Sequence, residues 1–392
     1  MSNYTCPICD SEAIDFFFKS HQIPVYCNIL YKSRQEALSA GLADMKLGFC
    51  SKCGHTYNFA FVPGLMDYKH DYENSLHFSP RFQEYAEHLA LKLIERYRLI
   101  GKDIIEIGCG DGDFLELLCR GGQNRCYGFD PSHVPDLDET GALKKITFIR
   151  DYYSEVYSKY KADLICCRHV LEHIPHPRLF LDTIRNAIGA LSQTVVFFEV
   201  PNVMYTLKDM GIWDLIYEHC SYFSPPSLRA AFRLSGFEVL DETEAFEGQF
   251  LAIEARPVGE TCAAERIETV TPNELKDYVS GFKENFTNRV MRWTNELRRM
   301  KKAGETAVIW GAGSKGATFL NTLKVTDQIE YVIDINPRKE GMYVSGTGQK
   351  IVAPEFLKNY SPNVVLIMNP IYADEIKQML NDLNLSCEVR FV

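Results

Sequence analysis

Apolar positions in the central part of the chain follow two alternating patterns. Short uninterrupted apolar runs predict buried strands, and apolar residues every three to four positions predict helices between them. The predicted strands are Asp103–Ile107, Cys126–Phe129, Ile146–Ile149, Asp163–Cys167 and Thr194–Val200, and the clearest predicted helices are Arg81–Arg98 and Asp113–Leu118. This alternation predicts an α/β fold in which helices cover both faces of a parallel sheet.

The regions on either side of this unit have different patterns. Residues 1–75 predict short strands and turns around two pairs of cysteines. Pro272–Lys302 is rich in charged residues, has apolar residues at helical spacing, and predicts a long amphipathic helix. A second Rossmann-like unit follows, with strands predicted at Thr306–Trp310, Tyr331–Ile333 and Asn363–Met368. We therefore divide the chain into an N-terminal lobe (1–75), a central α/β domain (76–258), a helical linker (259–302) and a C-terminal Rossmann-like domain (303–392).

Composition restricts the partners and the location of the protein. The 392 residues include 42 Lys and Arg against 52 Asp and Glu, and the resulting charge of -10 disfavours a nucleic-acid-binding surface. No apolar run is long enough for a membrane-spanning helix. The first residues lack the basic and apolar regions of a signal peptide, and 13 cysteines fit a reducing cytoplasm better than export. We therefore expect a cytoplasmic protein with a small-molecule partner.

The two cysteine pairs of the N-terminal lobe have the spacing of zinc ligands. Cys6 and Cys9 form one C-x-x-C turn, and Cys50 and Cys53 form the other. Two such turns can complete a tetrahedral shell of four thiolates around Zn²⁺. Unliganded thiols and a redox pair are the alternatives, although neither pair follows a strand at the head of a βα unit. A shell of four cysteines leaves no position for a substrate, so the predicted zinc is structural.

A glycine-rich turn follows the first predicted strand of the central domain. Gly108, Gly110 and Gly112 let the backbone turn sharply and approach a ligand closely. Glu106 just before them is poorly suited to a pyrophosphate but suits a ligand with a cationic sulfonium and ammonium. Asp130 ends the second strand, where a carboxylate can bind both hydroxyls of a ribose. A tight turn without a ligand is the alternative.

These residues resemble the first two motifs of the class I S-adenosylmethionine-dependent methyltransferases. The resemblance implies that Asp151 and Tyr152, after the third strand, contact the adenine of the cofactor. It also implies that His169, after the fourth strand, is a neighbour of the cofactor. We interpret the following Glu172 and His173 as packing and helix-start residues.

A second cluster of reactive side chains follows the strand and loop that end at Asn202. Glu218 and His219 lie between Tyr217 and Tyr222. A neutral imidazole can remove a proton near pH 7, a carboxylate can orient it, and a phenol can donate a hydrogen bond to a developing oxyanion. An aromatic loop packed over the sheet is an equally good interpretation of the spacing alone.

The combination of these features resembles the nucleotide-sugar C-methyltransferases, over nearly the whole chain. Those enzymes methylate a carbon next to a ketone on a deoxysugar. The resemblance implies that His219 is the base and that Glu218 lies beside it in the active site. Ile216 stands where the relatives carry a tyrosine, so Tyr217 or Tyr222 would have to supply the phenol. Tyr72 and Asn202 are further expected substrate contacts, and the altered sequence around Tyr72 suggests a different substrate from the familiar deoxysugars.

The C-terminal domain begins with a complete G-x-G-x-x-G motif. Gly311, Gly313 and Gly316 follow a strand, and Asp334 stands where an acid would bind the ribose of NAD. The motif alone therefore supports an NAD-dependent oxidoreductase or a binding module. The resemblance instead implies that Lys315 and Gly313 contact the diphosphate of a sugar nucleotide. A loop that binds nothing, and an O- or N-methyltransferase acting on another small metabolite, are the remaining alternatives.

Overall fold

The computed structural model describes residues 4–66, 72–133, 146–191, 193–258, 272–325 and 327–392. The strands of this part of the chain are β1 (Ile14–Pro24), β2 (Leu42–Cys50), β3 (Thr56–Asn58), β4 (Asp103–Ile107), β5 (Arg125–Phe129), β6 (Ile146–Ile149), β7 (Leu164–Arg168), β8 (Val195–Pro201), β9 (Ser221–Tyr222), β10 (Phe237–Ala245), β11 (Phe250–Pro257), β12 (Ala307–Trp310), β13 (Ile329–Ile333), β14 (Lys350–Val352), β15 (Val364–Ile367) and β16 (Glu388–Phe391). The helices are α1 (Arg34–Leu38), α2 (Pro80–Tyr97), α3 (Asp113–Gly122), α4 (Pro177–Ile188), α5 (Val203–Leu207), α6 (Pro225–Leu234), α7 (Asn273–Ala303), α8 (Ser314–Leu323), α9 (Leu357–Tyr360) and α10 (Ala373–Asp382).

The central sheet has the strand order β10-β11-β8-β7-β4-β5-β6. The five predicted strands are confirmed as β4 to β8, and they are parallel to one another. Adjacent residues show why these strands read as continuous apolar runs: Ile104 packs on one face of the sheet and Ile105 on the other. Helices α2 and α3 contribute to the first of these apolar clusters, and α4 and α6 contribute to the second.

Two strands that were not among the five predicted ones make one edge of the sheet antiparallel. Strand β11 pairs antiparallel with both β8 and β10. Only residues 246–249 connect β10 to β11, and so short a connection can join only antiparallel neighbours. The turn uses Phe246 and Glu247 at positive φ angles of 47° and 54°.

The N-terminal sheet has the order β1-β2-β3-β9, and its main strands are longer than the sequence predicted. Strands β1 and β2 span 11 and 9 residues, and register irregularities in β1 obscure its alternation. The fourth strand is β9, which belongs to the Glu218–His219 segment and pairs antiparallel with β3. The N-terminal lobe therefore contacts this segment directly.

The C-terminal sheet contains five parallel strands in the order β14-β13-β12-β15-β16, as a Rossmann-like domain requires. Helix α7, which the sequence predicted as a linker, places Phe282, Trp293 and Leu297 in one apolar cluster with residues of the N-terminal and C-terminal sheets. It is thus part of the core; residues 259–271 of the predicted linker lie outside the described part of the chain. None of the described helices combines the length and the apolar character needed to cross a membrane.

Candidate active site

The first glycine-rich turn joins β4 to α3. Gly108, Gly110 and Gly112 have φ angles of 72°, 53° and 91°, a region that disfavours other residues. A Cβ on Gly108 would lie 2.2 Å from Cγ2 of Val170, so this glycine allows close packing. A Cβ on Gly110 would meet no described atom within 4 Å. The middle of the turn therefore faces open space, where a ligand can approach the backbone.

Two carboxylates lie beside this turn. The Oδ2 atom of Asp130 accepts a hydrogen bond from the Gly110 amide (2.8 Å), and Oδ1 accepts from the amide and the hydroxyl of Ser132. Glu106 is 3% exposed, and its Oε2 has no hydrogen-bond partner in the described structure. Burial raises the pKa of Glu106 to about 8. A buried carboxylate with an unused oxygen fits a cationic ligand, because the positive charge would favour its ionised form.

The other predicted cofactor residues follow β6 and β7, whose carboxyl ends lie at the same edge of the sheet. Asp151 accepts hydrogen bonds from the Tyr152 amide (2.8 Å) and the Tyr157 hydroxyl (2.6 Å), and Tyr152 is 56% exposed. His169 has a φ of 55°, and its Nε2 lies 3.0 Å from Oε1 of Glu199. These residues therefore border the cofactor edge, and their contacts to the cofactor remain predictions.

Glu218 is held by residues from outside the central domain. Its side chain is fully buried, and Oε2 accepts a hydrogen bond from the Cys27 amide (3.0 Å). The Tyr72 hydroxyl also contacts this carboxyl group, whose pKa burial raises to about 7. The predicted contact in which Glu218 orients His219 is wrong in this structure, because the turn at residues 217–218 directs the carboxyl group towards the N-terminal lobe.

His219 lies in a cluster that the sequence interpretation did not anticipate. Its ring centre is 4.9 Å from that of His173 and 6.1 Å from that of Tyr222. Potential ligand atoms of Glu172, His173 and His219 all lie within 4.8 Å of one another. Burial lowers the pKa of His219 well below its usual value, and His173, His169 and Lys315 lower it further. The imidazole is therefore neutral at pH 7. Glu172 and His173 are neighbours of the predicted base as well as packing residues.

The two tyrosines that flank Glu218 and His219 each form a hydrogen bond with the backbone through their hydroxyl group. The Tyr217 hydroxyl accepts a hydrogen bond from the Val62 amide (2.8 Å), and the Tyr222 hydroxyl donates one to the Ile216 carbonyl (2.9 Å). Both side chains are buried. Because the Tyr222 hydroxyl already donates its proton, the prediction that Tyr222 supplies a catalytic phenol is wrong for this structure. The same role for Tyr217 stays a prediction, since its hydroxyl only accepts. The phenol that reaches Glu218 is Tyr72, which an isolated β-bridge to Ile29 positions.

Sequence comparison identifies the reaction class of this arrangement. The sequence profile of the family described as "Methyltransferase domain" matches residues 82–242, which include the glycine turn, Asp130, His169 and the Glu218–His219 pair. The profile described as "C-methyltransferase C-terminal domain" matches residues 252–392. The chain is a class I S-adenosylmethionine-dependent methyltransferase.

Known proteins show how far the similarity of this methyltransferase extends. The C-methyltransferase NovU of Streptomyces niveus is 27% identical over 303 residues, which are 72% of this chain and 70% of that protein. The ubiquinone biosynthesis O-methyltransferase of Escherichia coli O127:H6 is 29% identical over only 85 residues, 20% of this chain and 35% of that protein. The magnesium protoporphyrin IX methyltransferase of Synechocystis PCC 6803 is similar in structure with a TM-score of 0.36 and 16% identity, over 48% of this chain and 90% of that chain.

The predicted substrate residues of the methyltransferase differ in their accessibility. Asn202 accepts a hydrogen bond from the Met204 amide (3.0 Å) at the start of α5 and donates one to the Gly248 carbonyl (2.9 Å). Each end of its amide thus has one partner within the chain, and its substrate contact stays a prediction. Lys315 forms an ion pair with Asp214 and borders a cavity of about 220 Å³. The wall of this cavity also includes Tyr205, Trp213 and Arg289.

The second glycine-rich turn shares one acid-to-backbone contact with the first. Gly311 has a φ of 114°, and a Cβ on Gly316 would lie 2.1 Å from the Gly311 carbonyl oxygen, while Gly313 is the N-cap residue of α8. The Oδ2 atom of Asp334 accepts a hydrogen bond from the Ala312 amide (2.9 Å), just as Asp130 accepts from Gly110. This geometry fits both a dinucleotide site and a purely structural turn.

One interdomain contact escaped the sequence analysis entirely. Nη1 of Arg338 lies 3.0 Å from Oε2 of Glu73 and 2.5 Å from Oδ2 of Asp111. Asp111 belongs to the first glycine turn, whereas Arg338 follows β13. The contact thus ties the C-terminal domain to the cofactor turn. No local pattern could indicate it, because the partners are 227 and 265 positions from Arg338.

The four predicted metal-ligating cysteines lie together in the N-terminal lobe. The Sγ atoms of Cys6 and Cys53 are 3.6 Å apart, as are those of Cys9 and Cys50. All four sulfur atoms lie within 4.8 Å of one another. A tetrahedral zinc ion with Zn–S distances of about 2.3 Å would separate its ligands by about 3.8 Å. The donor set and its spacing therefore fit zinc.

Removing the Asp130 carboxylate is expected to weaken cofactor binding. Asp130→Ala should raise the Kd for S-adenosylhomocysteine by about ten- to a hundredfold, since hydrogen bonds to a charged group contribute about 1.5–3 kcal/mol. Isothermal titration calorimetry measures this change. Asp334→Ala is the matched control, because it removes the equivalent acid from the second turn and should leave this Kd unchanged. Binding of NAD that Asp334→Ala abolishes would instead establish a dinucleotide site in the C-terminal domain.

Proposed function

We propose that this methyltransferase methylates a carbon next to a ketone in a nucleotide-linked sugar. The observation that carries the proposal is the neutral, largely enclosed imidazole of His219, in contact with the segment that follows β7. Transfer to carbon requires removal of a proton before the new bond can form, and a neutral imidazole is suited to that step. The match of residues 252–392 to the C-methyltransferase profile supports the same chemistry.

Each side chain has a separate role in this proposal. Glu106, Asp130 and the backbone of Gly110 would hold S-adenosylmethionine, which supplies the methyl group as part of a sulfonium. His219 takes the proton from the acceptor carbon. The Tyr72–Glu218 pair would donate a hydrogen bond to the enolate oxygen, because the pKa of Glu218 near 7 leaves part of this carboxyl group protonated. Zinc at the four cysteines would only hold the N-terminal lobe together.

The cavity next to Lys315 supports an acceptor that carries phosphate. Nε of Arg289 and Nε1 of Trp213 are buried, and neither has a hydrogen-bond partner in the described structure. Lys315 also lies close enough to lower the pKa of His219. Two cationic side chains and two aromatic rings could therefore bind a nucleoside diphosphate and place its sugar near the base. In this proposal, residues 76–258 bind the cofactor and residues 303–392 bind part of the acceptor, with α7 between these two domains.

Exchange of the acceptor's α-proton with solvent tests the proposal directly. We expect the wild type, with S-adenosylhomocysteine bound, to exchange this proton of dTDP-4-keto-6-deoxyglucose in D₂O, as NMR can measure. The free keto sugar should exchange at least about tenfold more slowly at equal concentration, since it lacks the diphosphate. Lys315→Ala should raise KM for the nucleotide sugar while changing kcat less. Methyl transfer to a hydroxyl or amine without carbon exchange would establish the O- or N-methyltransferase alternative.

A further inference from the structure

Glu172 is a buried acid whose oxygens have no hydrogen-bond partner among the described residues. It lies in the turn after β7, is 1% exposed, and both Oε1 and Oε2 are unpartnered. Leaving such a group unsatisfied is costly, so each case requires an explanation. The nearby side chains are unusual, because ring nitrogens of His169, His173 and His219 all lie within 4.8 Å of this single carboxyl group.

The distances connect Glu172 to the predicted base. A ligand atom of Glu172 lies within 4.8 Å of a ring nitrogen of His219, and Oε1 lies 4.0 Å from Nδ1 of His169. Glu218 cannot fill this position, because its carboxyl group contacts Cys27 and Tyr72. Glu199 is also committed, to Arg168 and Tyr85. Glu172 is therefore the described carboxyl group next to His219 with both of its oxygens unused, whereas Glu218 has only Oε1 without a partner.

The position of Glu172 matters for the positive charge that proton transfer would place on His219. When His219 takes a proton, the new positive charge appears in a partly buried site next to two further imidazoles and near Lys315. Such a charge is unfavourable unless a negative group accompanies it. A carboxylate beside a catalytic imidazole both fixes the orientation of the ring and stabilises its protonated form.

We propose that Glu172 is a positioning residue for His219, accepting a hydrogen bond from its ring and compensating its charge during proton transfer. The proposal rests on the proposed role of His219 as the base. It replaces Glu218 with Glu172 as the orienting carboxylate and assigns Glu218 to the Tyr72 phenol instead. Burial raises the pKa of Glu172 to about 8, so the resting carboxyl group is largely protonated at pH 7, and a positive charge on His219 would favour its ionised form.

Two measurements on the full-length protein test this role. The first is the rate at which diethyl pyrocarbonate modifies His219 at pH 7, followed by peptide mass spectrometry; this measurement needs no acceptor. The second is kcat and KM with dTDP-4-keto-6-deoxyglucose. We expect Glu172→Gln to slow modification of His219 several-fold and to lower kcat by about tenfold or more, with KM and the Kd for S-adenosylhomocysteine within about twofold. Glu172→Asp keeps the charge and should recover part of kcat; it also serves as the test if the Gln variant does not fold.

Glu254→Gln is the matched control. Glu254 is a buried acid in β11 that pairs with Lys92 and Arg96, and its replacement should leave both measurements unchanged. Wild-type modification and kcat in a folded Glu172→Gln protein would overturn the proposal. So would a second metal ion per chain that is lost in this variant, because the cluster would then be a metal site. If wild type does not act on the nucleotide sugar, the proposed function fails, and the modification rates still decide whether Glu172 acts on His219.

Discussion

Replacing His219 by alanine is expected to remove most methyl transfer and leave cofactor binding intact. Loss of a general base typically lowers turnover by ~10²-fold or more. Tyr222 and Glu218 cannot substitute for it at once, because Tyr222 donates to a backbone carbonyl and Glu218 contacts Cys27 and Tyr72. Turnover with labelled S-adenosylmethionine measures the loss, and calorimetry with S-adenosylhomocysteine measures the binding.

Proton exchange separates the loss of a base from a general distortion of the site. The His219→Ala protein should not exchange the α-proton of the nucleotide sugar, although it binds the cofactor product normally. Glu218→Gln should retain more turnover than His219→Ala, because it alters the enolate partner and keeps the base. His88→Ala, on the exposed side of α2, is the control for histidine replacement. Methyl transfer at the wild-type rate in His219→Ala would assign the base to another residue.

Replacing Cys50 by serine is expected to release the zinc and destabilise the protein. The wild type should contain about one zinc per chain, and the variant should contain little, because a neutral hydroxyl is a poor substitute for a thiolate. Structural zinc contributes on the order of 10 kcal/mol to folding in small domains, so we expect Tm to fall by roughly 10 °C or more. Metal analysis by mass spectrometry and thermal unfolding measure the two effects.

Cys387→Ser provides the control for the loss of a thiol. Cys387 is half-buried in the C-terminal domain, next to β16, and its replacement should change neither the zinc content nor Tm by more than a small amount. Turnover should fall in Cys50→Ser, because the N-terminal lobe supplies the Cys27 amide that holds Glu218. Undiminished zinc in Cys50→Ser would show that the four cysteines are not the ligands.

Local patterns in the sequence predicted the central strands and the places of the glycine-rich turns well. Strand β6 has the predicted bounds, and α7 differs from its predicted helix by one residue at each end. These elements depend on apolar periodicity and on backbone angles that glycine favours. The direction of β11 was not predictable from its composition, since a buried strand is equally apolar in either orientation.

The candidate site was predictable only where its residues are close in sequence or follow a known motif. Glu106 and Asp130 were found through their positions at strand ends. Glu218 contacts Cys27 and Tyr72 of the N-terminal lobe. Cys27 precedes Glu218 by 191 residues, and no local rule predicts such a pairing. Adjacent positions were also misleading, because Glu218 and His219 face different neighbours. Side-chain direction in a turn depends on the tertiary structure around it.

The pairing of β3 with β9 has a consequence for the order of folding. Thr56 pairs with Tyr222, so the last strand of the N-terminal sheet is synthesised about 165 residues after its partner. At the measured pace of translation, roughly 5–20 residues per second, the edge of β3 stays unpaired for on the order of ten seconds or more. Zinc binding can close the cysteine turns during this interval, but the lobe completes its sheet only when the segment that contains Glu218 and His219 leaves the ribosome. A fragment that ends before residue 221 would expose this edge permanently and would be prone to aggregation.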